Sequence, residues 1–274
     1  MPAGAVLHHR IAPSASTAPV VAALFVVECD LDMPLVSMPG PEPQFVVRFG
    51  ASARNSLDVH ALGARGKVHR KTGRRGQQAV VARLHLGAPE RVLGTSASAI
   101  ADRIVPLEEL WGPAAVRRLV DRLSGVRDMS EAAAILDMAL ADRFAAALTR
   151  SADGAGSDRG DRSDRGQLVL EAAARLRGAS ATVNAVAAGL GVSERHLRRV
   201  FREAVGVSPK AFTRLTRFHR ALRAARADVH ASWASIAAGA GYYDQAHLIA
   251  EFQSIAGAAP RAFLDELRAA SSFG

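Results

Sequence analysis

Cysteine is nearly missing from this 274-residue chain, with Cys29 the only one. No internal disulfide and no cysteine-based metal cluster can form, which fits a reducing compartment. Long apolar runs are missing too. The longest, "PVVAALFVV" (19–27), is too short to span a bilayer. The acidic "ECDLDMP" that follows offers no small-residue cleavage site, so the run does not read as a signal-peptide core. A soluble, cytoplasmic protein without membrane contact is expected. Acid is in short supply: Asp+Glu number 26 against 35 Lys+Arg, a net charge of +9. That excess suits a polyanionic partner such as nucleic acid. Catalytic signatures are also lacking. There is no nucleophile elbow and no paired-carboxylate motif, and "GARGK" (63–67) lacks the full phosphate-loop pattern. His60, His69 and His85 have no carboxylate at ligand spacing, and His8 and His9 sit in an N-terminal stretch expected to be exposed. No catalytic residue, metal or cofactor is expected, and the chain is not read as an enzyme.

The length allows two domains. Residues 1–112 carry short apolar runs broken by Gly and Pro. "PQFVVRFG" (43–50), "NSLDVHALG" (55–63) and "AVVARLHLG" (79–87) read as strands. The run 19–27 fits a buried strand or a buried helix equally well. "KVHRKTGRRG" (67–76) reads as a basic loop or hairpin. Two helices, 113–124 and 129–149, close this part, the second opened by Asp128 and Glu131 at capping-box spacing. "SADGAGSDRGDRSDRG" (151–166) has no apolar periodicity and is expected to be a flexible linker. Residues 167–274 read as short amphipathic helices and hold +6 of the net charge, against +4 for 1–150 and −1 for 151–166. The fold class is therefore α+β: a mostly β N-terminal domain for sensing or dimerisation (1–112, closed by 113–150), a linker, and an all-α C-terminal domain.

The C-terminal part contains a repeat. "VAAGLGVSERHLRRVFREAVGVSPKAF" (186–212) matches "IAAGAGYYDQAHLIAEFQSIAGAAPRAF" (236–263). Leu197, Phe201, Gly206, Pro209 and Phe212 return as Leu248, Phe252, Gly257, Pro260 and Phe263, each 51 positions on. In each copy an Ala-rich helix runs to Gly191 or Gly241, and after a brief turn Ser193 or Asp244 caps a second helix. Glycine suits the tight turn because it tolerates φ > 0. This is helix-turn-helix grammar, with units at about 183–206 and 233–257, whose second helix enters a DNA major groove. In the first copy Leu197, Val200, Phe201 and Ala204 form an apolar stripe. Arg195, Arg198, Arg199 and Arg202 form a basic one about 200° away.

These two segments, with "RLTRFHRALRAAR" (214–226) between them, resemble the DNA-binding domain of AraC/XylS-type transcription regulators. The resemblance covers about the last third of the chain. It implies two helix-turn-helix units joined by one long helix and an N-terminal sensing or dimerisation domain. Residues 8–112 resemble the small β-rich domain of one subgroup, mainly through "IADRIVPLEELWG" (100–112). A sequence-specific transcription regulator is expected, reading bases mainly through the first recognition helix. Arg195, Arg198 and Arg199 are the expected base contacts there, since the arginine fork matches guanine O6 and N7. In the second unit Ile249, Ala250 and Glu251 replace Arg198, Arg199 and Val200, and a basic residue is common in the family where Ala250 sits. Gln245, Ala246 and Ile249 are left as base contacts: Gln can read adenine, and Ile can touch a thymine methyl. Arg202, Lys210, Arg214, Arg217 and Gln253 are expected on phosphates, with Arg220 adding a positioning contact. His196 and His247, just before the core leucines, read as packing or backbone-bonding residues.

The expected partners are double-stranded DNA, RNA polymerase, an unidentified small-molecule effector and a second copy of the chain. Two other functions fit the same domain. A DNA-repair alkyltransferase fused to it would need an activated thiol, and Cys29 stands in "VVECDLD" among acids that raise its pKa. An architectural DNA-coating protein would show no preferred site.

Overall fold

The structure is a computed structural model that describes residues 6–50, 53, 56–153, 156–178, 181–228 and 230–273; the side chains of 6–8, 151–163 and 271–273 are outside it, His8 among them. The N-terminal region is built on a six-stranded antiparallel sheet of order β1-β2-β7-β4-β5-β8. Its strands are β1 (Val6–Ile11), β2 (Val21–Cys29), β4 (Gln44–Phe49), β5 (Leu57–Leu62), β7 (Gln77–Leu84) and β8 (Ile104–Pro106). The apolar run at 19–27 is thus resolved as strand. It lies between β1 and β7 and is covered on both faces, the setting in which a strand reads as continuously hydrophobic.

One face of this sheet carries Leu24, Phe45, Val47 and Val80. It packs on α1 (Pro89–Leu93), α2 (Leu107–Trp111), α3 (Pro113–Ser124) and α4 (Met129–Asp153). The "IADRIVPLEELWG" stretch supplies Val105, Leu107 and Trp111 to this core. The Trp111 indole N–H donates to Val92 O at 3.0 Å. Asp128 accepts from the Glu131 amide at 2.9 Å, so half of the expected capping box forms as such; Glu131 itself accepts from the amide of Arg127, one residue earlier.

The opposite face looks onto a small second sheet. There β3 (Met33–Ser37) pairs antiparallel with β6 (His69–Gly73) and parallel with β9 (Ser271–Phe273), near the chain's other end. The basic stretch 67–76 therefore holds a five-residue strand, 69–73, followed by a turn.

Helix replaces the expected linker. Residues 151–153 finish α4 and 156–166 begin α5 (Gly156–Leu176), with 154–155 outside the described residues. Apolar segments on both sides already nucleate helix, and extending a nucleated helix costs little per residue. The rest is helical: α6 (Val183–Gly189), α7 (Glu194–Val205), α8 (Pro209–Ala227), α9 (Trp233–Ala240), α10 (Gln245–Ala256) and α11 (Pro260–Ala269). Helices α6–α7 and α9–α10 are the two helix-turn-helix units, and α8 is the long helix joining them.

Each unit completes its core with residues from the β-rich region. Ala64 and Leu86 join Phe201, Val205 and Phe212 in the first. Val36 joins Phe218, Phe252 and Phe263 in the second. Further ties are the Val68 amide to Ile255 O at 2.9 Å and His219 Nε2 to Pro39 O at 2.7 Å. Gly206, which ends α7 at φ +88°, touches the 3-10 turn Ala97–Ile100; a Cβ there would lie 3.0 Å from Ala97 O. Both recognition helices are thus held at their C-terminal ends, and their N-terminal halves stay open.

Candidate nucleic-acid interface and an interior cavity

In the first unit, Thr182 caps α6 by accepting from the Ala185 amide at 3.2 Å, and Ser193 caps α7 by accepting from the His196 amide at 3.2 Å. Gly191 makes the turn between them at φ +69°. Leu197, Val200 and Phe201 are buried, so the apolar stripe faces α5 and α8. Arg195, Arg198, Arg199 and Arg202 are all exposed on the other side. Arg198 pairs with Glu194, and Arg199 pairs with Glu203 at 3.3 Å, both one helical turn apart. Such exposed pairs contribute about 0.3–0.5 kcal/mol, so a DNA phosphate or guanine can displace the carboxylates at little cost. Lys210 is exposed at the start of α8.

The second unit repeats the scaffold. Asp244 caps α10 by accepting from the His247 amide at 2.7 Å, and Gly241 turns at φ +86°. Gln245, Ala246, Ala250 and Gln253 are exposed. Ile249 is only half exposed, because its side chain also leans on this unit's core. Tyr243, fully exposed beside Gln245, stands on the same open end; an isolated tyrosine in a turn gives no periodic signal by which to pick it out. The backbone amides of His196 and His247 serve the caps, and the His247 ring also packs edge-on against Tyr242 at 5.3 Å.

Arg214 and Arg217 both reach Glu251, at 3.2 Å and 3.1 Å, and Arg214 also donates to Ser254 Oγ at 2.6 Å. Glu251 is 8% exposed on the inner side of α10, where the first unit has Val200. A buried carboxylate needs such partners. Beside it, burial and the Glu251 charge push the Tyr242 hydroxyl pKa up. Arg220 is also occupied, donating to Ala240 O at 2.9 Å and to Arg177 O. Arg175 does the same for the first unit, donating to Gly189 O at 2.7 Å. Both Ala-rich helices thus end on an arginine that satisfies a C-terminal carbonyl.

The second feature is a cavity of about 430 Å³ between the main sheet and the β3–β6 ribbon. Its apolar wall includes Phe25, Val27, Leu35, Val46 and Val81. Its polar wall includes Arg48, Arg65, Lys71, Arg83 and His60, and no Asp or Glu among the described residues lines it. Two carboxylates stand just behind. Asp58 accepts from Arg48 at 2.6 and 2.9 Å and lies 3.2 Å from His60 Nδ1, and the Asp102 charge acts on Arg65. Lys71 is exposed, yet burial lowers its pKa, with Arg48 and Arg65 adding to the effect. Burial, then the Arg48 charge, pushes the His60 pKa down to about 4.

That shift predicts acid sensitivity. The folded-state pKa of His60 lies below the unfolded value of 6.5, so on acidification the unfolded chain takes up its proton first. Stability is full above about pH 6.5 and falls toward pH 4. At about 1.4 kcal/mol per pK unit the loss is about 3 kcal/mol. Urea titrations across this range should show the slope, and His60→Asn should flatten it. An unchanged slope in the variant would assign the acid loss to other groups.

Among the described residues no group of three or more His, Cys, Asp or Glu could hold a metal, and no helix is long and apolar enough to cross a membrane. Residues 186–266 match the family model of a helix-turn-helix domain. No curated protein matches the chain significantly. Similar solved structures include the DNA-binding domain of AdpA, a global transcriptional factor, in complex with a target DNA, at 25% identity over 38% of this chain and 93% of that one (TM-score 0.34). Another is a DNA-binding transcriptional dual regulator from Escherichia coli K-12, at 20% identity over 37% of this chain and 89% of that one (TM-score 0.31). ToxT from Vibrio cholerae with bound unsaturated fatty acid is similar at 10% identity over 93% of this chain and 96% of that one (TM-score 0.42). The repeated, capped helix pairs and the family match agree: residues 186–266 are an AraC-type helix-turn-helix domain.

Proposed function

We propose that the chain is a sequence-specific transcription regulator in which the first recognition helix reads most of the sequence. The observation that carries this reading is the contrast between two equivalent helices: α7 presents four exposed arginines, and α10 presents none. Arg195, Arg198 and Arg199 take base edges; Arg202 and Lys210 take phosphates. Gln245, Ala246 and Ile249 make the weaker base contacts of the second unit, with Gln253 on a phosphate. Arg214 and Arg217 fix α10 against α8 and serve DNA only through that placement. Residues 1–150 form the sensing part, with the cavity as the place for a small-molecule effector; its size lies within the roughly 300–1,000 Å³ usual for ligand pockets. RNA polymerase and a second copy of the chain are the remaining partners in this reading.

The alkyltransferase reading is disfavoured by Cys29. The thiol is buried and its pKa is raised, first by burial and only last by Asp30, so it is not activated for attack. Selection of bound fragments from genomic DNA, followed by sequencing, tests the proposal. A single enriched motif with one strongly constrained half is expected. Enrichment of no motif would favour an architectural coat instead.

A further inference from the structure

The β3–β6 ribbon separates the cavity from the second helix-turn-helix unit, and its two faces are chemically different. In the register of the pair, Leu35 lies opposite Lys71 and Val36 lies opposite Arg70. Cross-strand partners share a face, and neighbours along a strand point to opposite faces. Leu35 packs with Val27, Cys29 and Ala79 of the main sheet, so the Leu35–Lys71 face is the cavity wall. Val36 packs with Phe218 and Phe252, so the Val36–Arg70 face is the docking face. Arg70 spends its guanidinium there. It donates to Ala256 O, the last carbonyl of α10, at 2.6 Å, and grips Glu266 of α11 at 2.6 and 2.8 Å. One two-stranded ribbon thus puts adjacent residues of β6 on the cavity and on the end of a recognition helix.

The cavity wall has a definite chemistry. Arg48 is committed to Asp58 in a two-pronged pair, and Arg83 lies over the Phe25 ring at 5.2 Å. Arg65, anchored on Ser37 Oγ at 2.8 Å, and Lys71 both line the cavity, and the Arg65 charge acts on Lys71. An anion between them would relieve that repulsion and receive charge-assisted hydrogen bonds in a partly desolvated site. The apolar wall beside them would take a hydrocarbon body.

We propose that the cavity binds a small amphipathic anion, its charged end between Lys71 and Arg65, and that the β3–β6 ribbon passes its occupancy to the second helix-turn-helix unit through Arg70. The proposal rests on the reading of residues 1–150 as a sensing part. It is tested without DNA, so its failure and that of the DNA-binding reading are distinguishable.

The experiment uses the full chain and three probes: octanoate, octyl phosphate and octanol. Calorimetry should show one or both anions binding at least about tenfold more tightly than octanol, as a charge-assisted contact requires. Which anion wins separates a carboxylate from a phosphate site. Lys71→Gln, or Arg65→Gln if the first variant does not fold, should remove that preference and leave octanol binding unchanged. Equal binding of octanol and the anions, or a preference that survives both substitutions, would overturn the site. Hydrogen exchange then tests transmission. At saturating anion, amides 252–257 should change exchange rate severalfold in the parent chain and not in Arg70→Gln. No change in the parent, or the same change in Arg70→Gln, would overturn the route through Arg70.

Discussion

Arg198→Ala is expected to weaken binding to the chain's own site by roughly 10–100-fold and to scrambled DNA far less. The reason lies in what each kind of contact carries. A two-pronged arginine–guanine contact is worth about 1–3 kcal/mol of discrimination, whereas a phosphate contact is blind to sequence. Arg198 is 61% exposed at its side chain and pairs with Glu194, itself on the surface of the same helix, so its removal should leave the fold intact. Unfolding curves of the variant should overlay the parent's. Arg202→Ala provides the contrast: it should weaken both DNAs alike and lower the salt slope by about one. Gln245→Ala should cost less specificity than Arg198→Ala, because α10 offers no charged side chain on its open face. Gel shifts on matched and scrambled duplexes at two salt concentrations give all three comparisons. Equal specificity losses from Arg198→Ala and Gln245→Ala would mean that both helices read the site, and the proposed asymmetry would be wrong.

The C-terminal third was legible because its signals are local. Leu197 and Phe201 sit one helical turn apart, Gly191 and Ser193 punctuate the turn, and the whole pattern returns 51 residues later. Period and punctuation suffice for such elements. The central strands were legible for the same reason, from the apolar runs at 43–50 and 79–87. What escaped was set by partners remote in the chain. β6 reads "HRKTG", with no strand propensity to speak of; it is a strand because β3 supplies a ladder and β3 in turn pairs with β9. Val36, Ala64 and Leu86 look like ordinary residues of a β region until the helical units close over them. The cavity cations come from β4, β6, β7 and the segment after β5, so no window of sequence shows them together. The ion pairs of Arg214 and Arg217 with Glu251 escaped for the same cause. Their spacing on α8 is that of a basic face, and only the fold brings Glu251 under them.

That triad makes the strongest stability prediction. Arg217→Met should destabilise the chain by about 3 kcal/mol, the lower end of what breaking a buried pair costs, because Arg214 remains to hold part of the Glu251 charge. The Arg217 and Glu251 side chains are only 23% and 11% exposed, so water cannot replace the lost partner. Glu251→Val should also be costly on its own. It leaves Arg217 half-stranded over the Tyr242 ring at 5.3 Å with its Nε already lacking a partner. The double variant Arg217→Met/Glu251→Val should return close to the parent, since swapping a buried ion pair for packed apolar groups is often neutral or better. The first helix-turn-helix unit supports this directly: Val200 fills the equivalent place and is buried without any ion pair. A double-mutant cycle by urea denaturation would give a coupling larger than about 3 kcal/mol, since the Arg217→Met cost alone reaches that figure and the double variant recovers both single costs. If Arg217 were instead a phosphate contact, Arg217→Met would leave stability unchanged and lower DNA affinity and its salt slope. The two outcomes fall on different axes, so one variant decides whether α8 touches DNA through Arg217 or holds α10 in place.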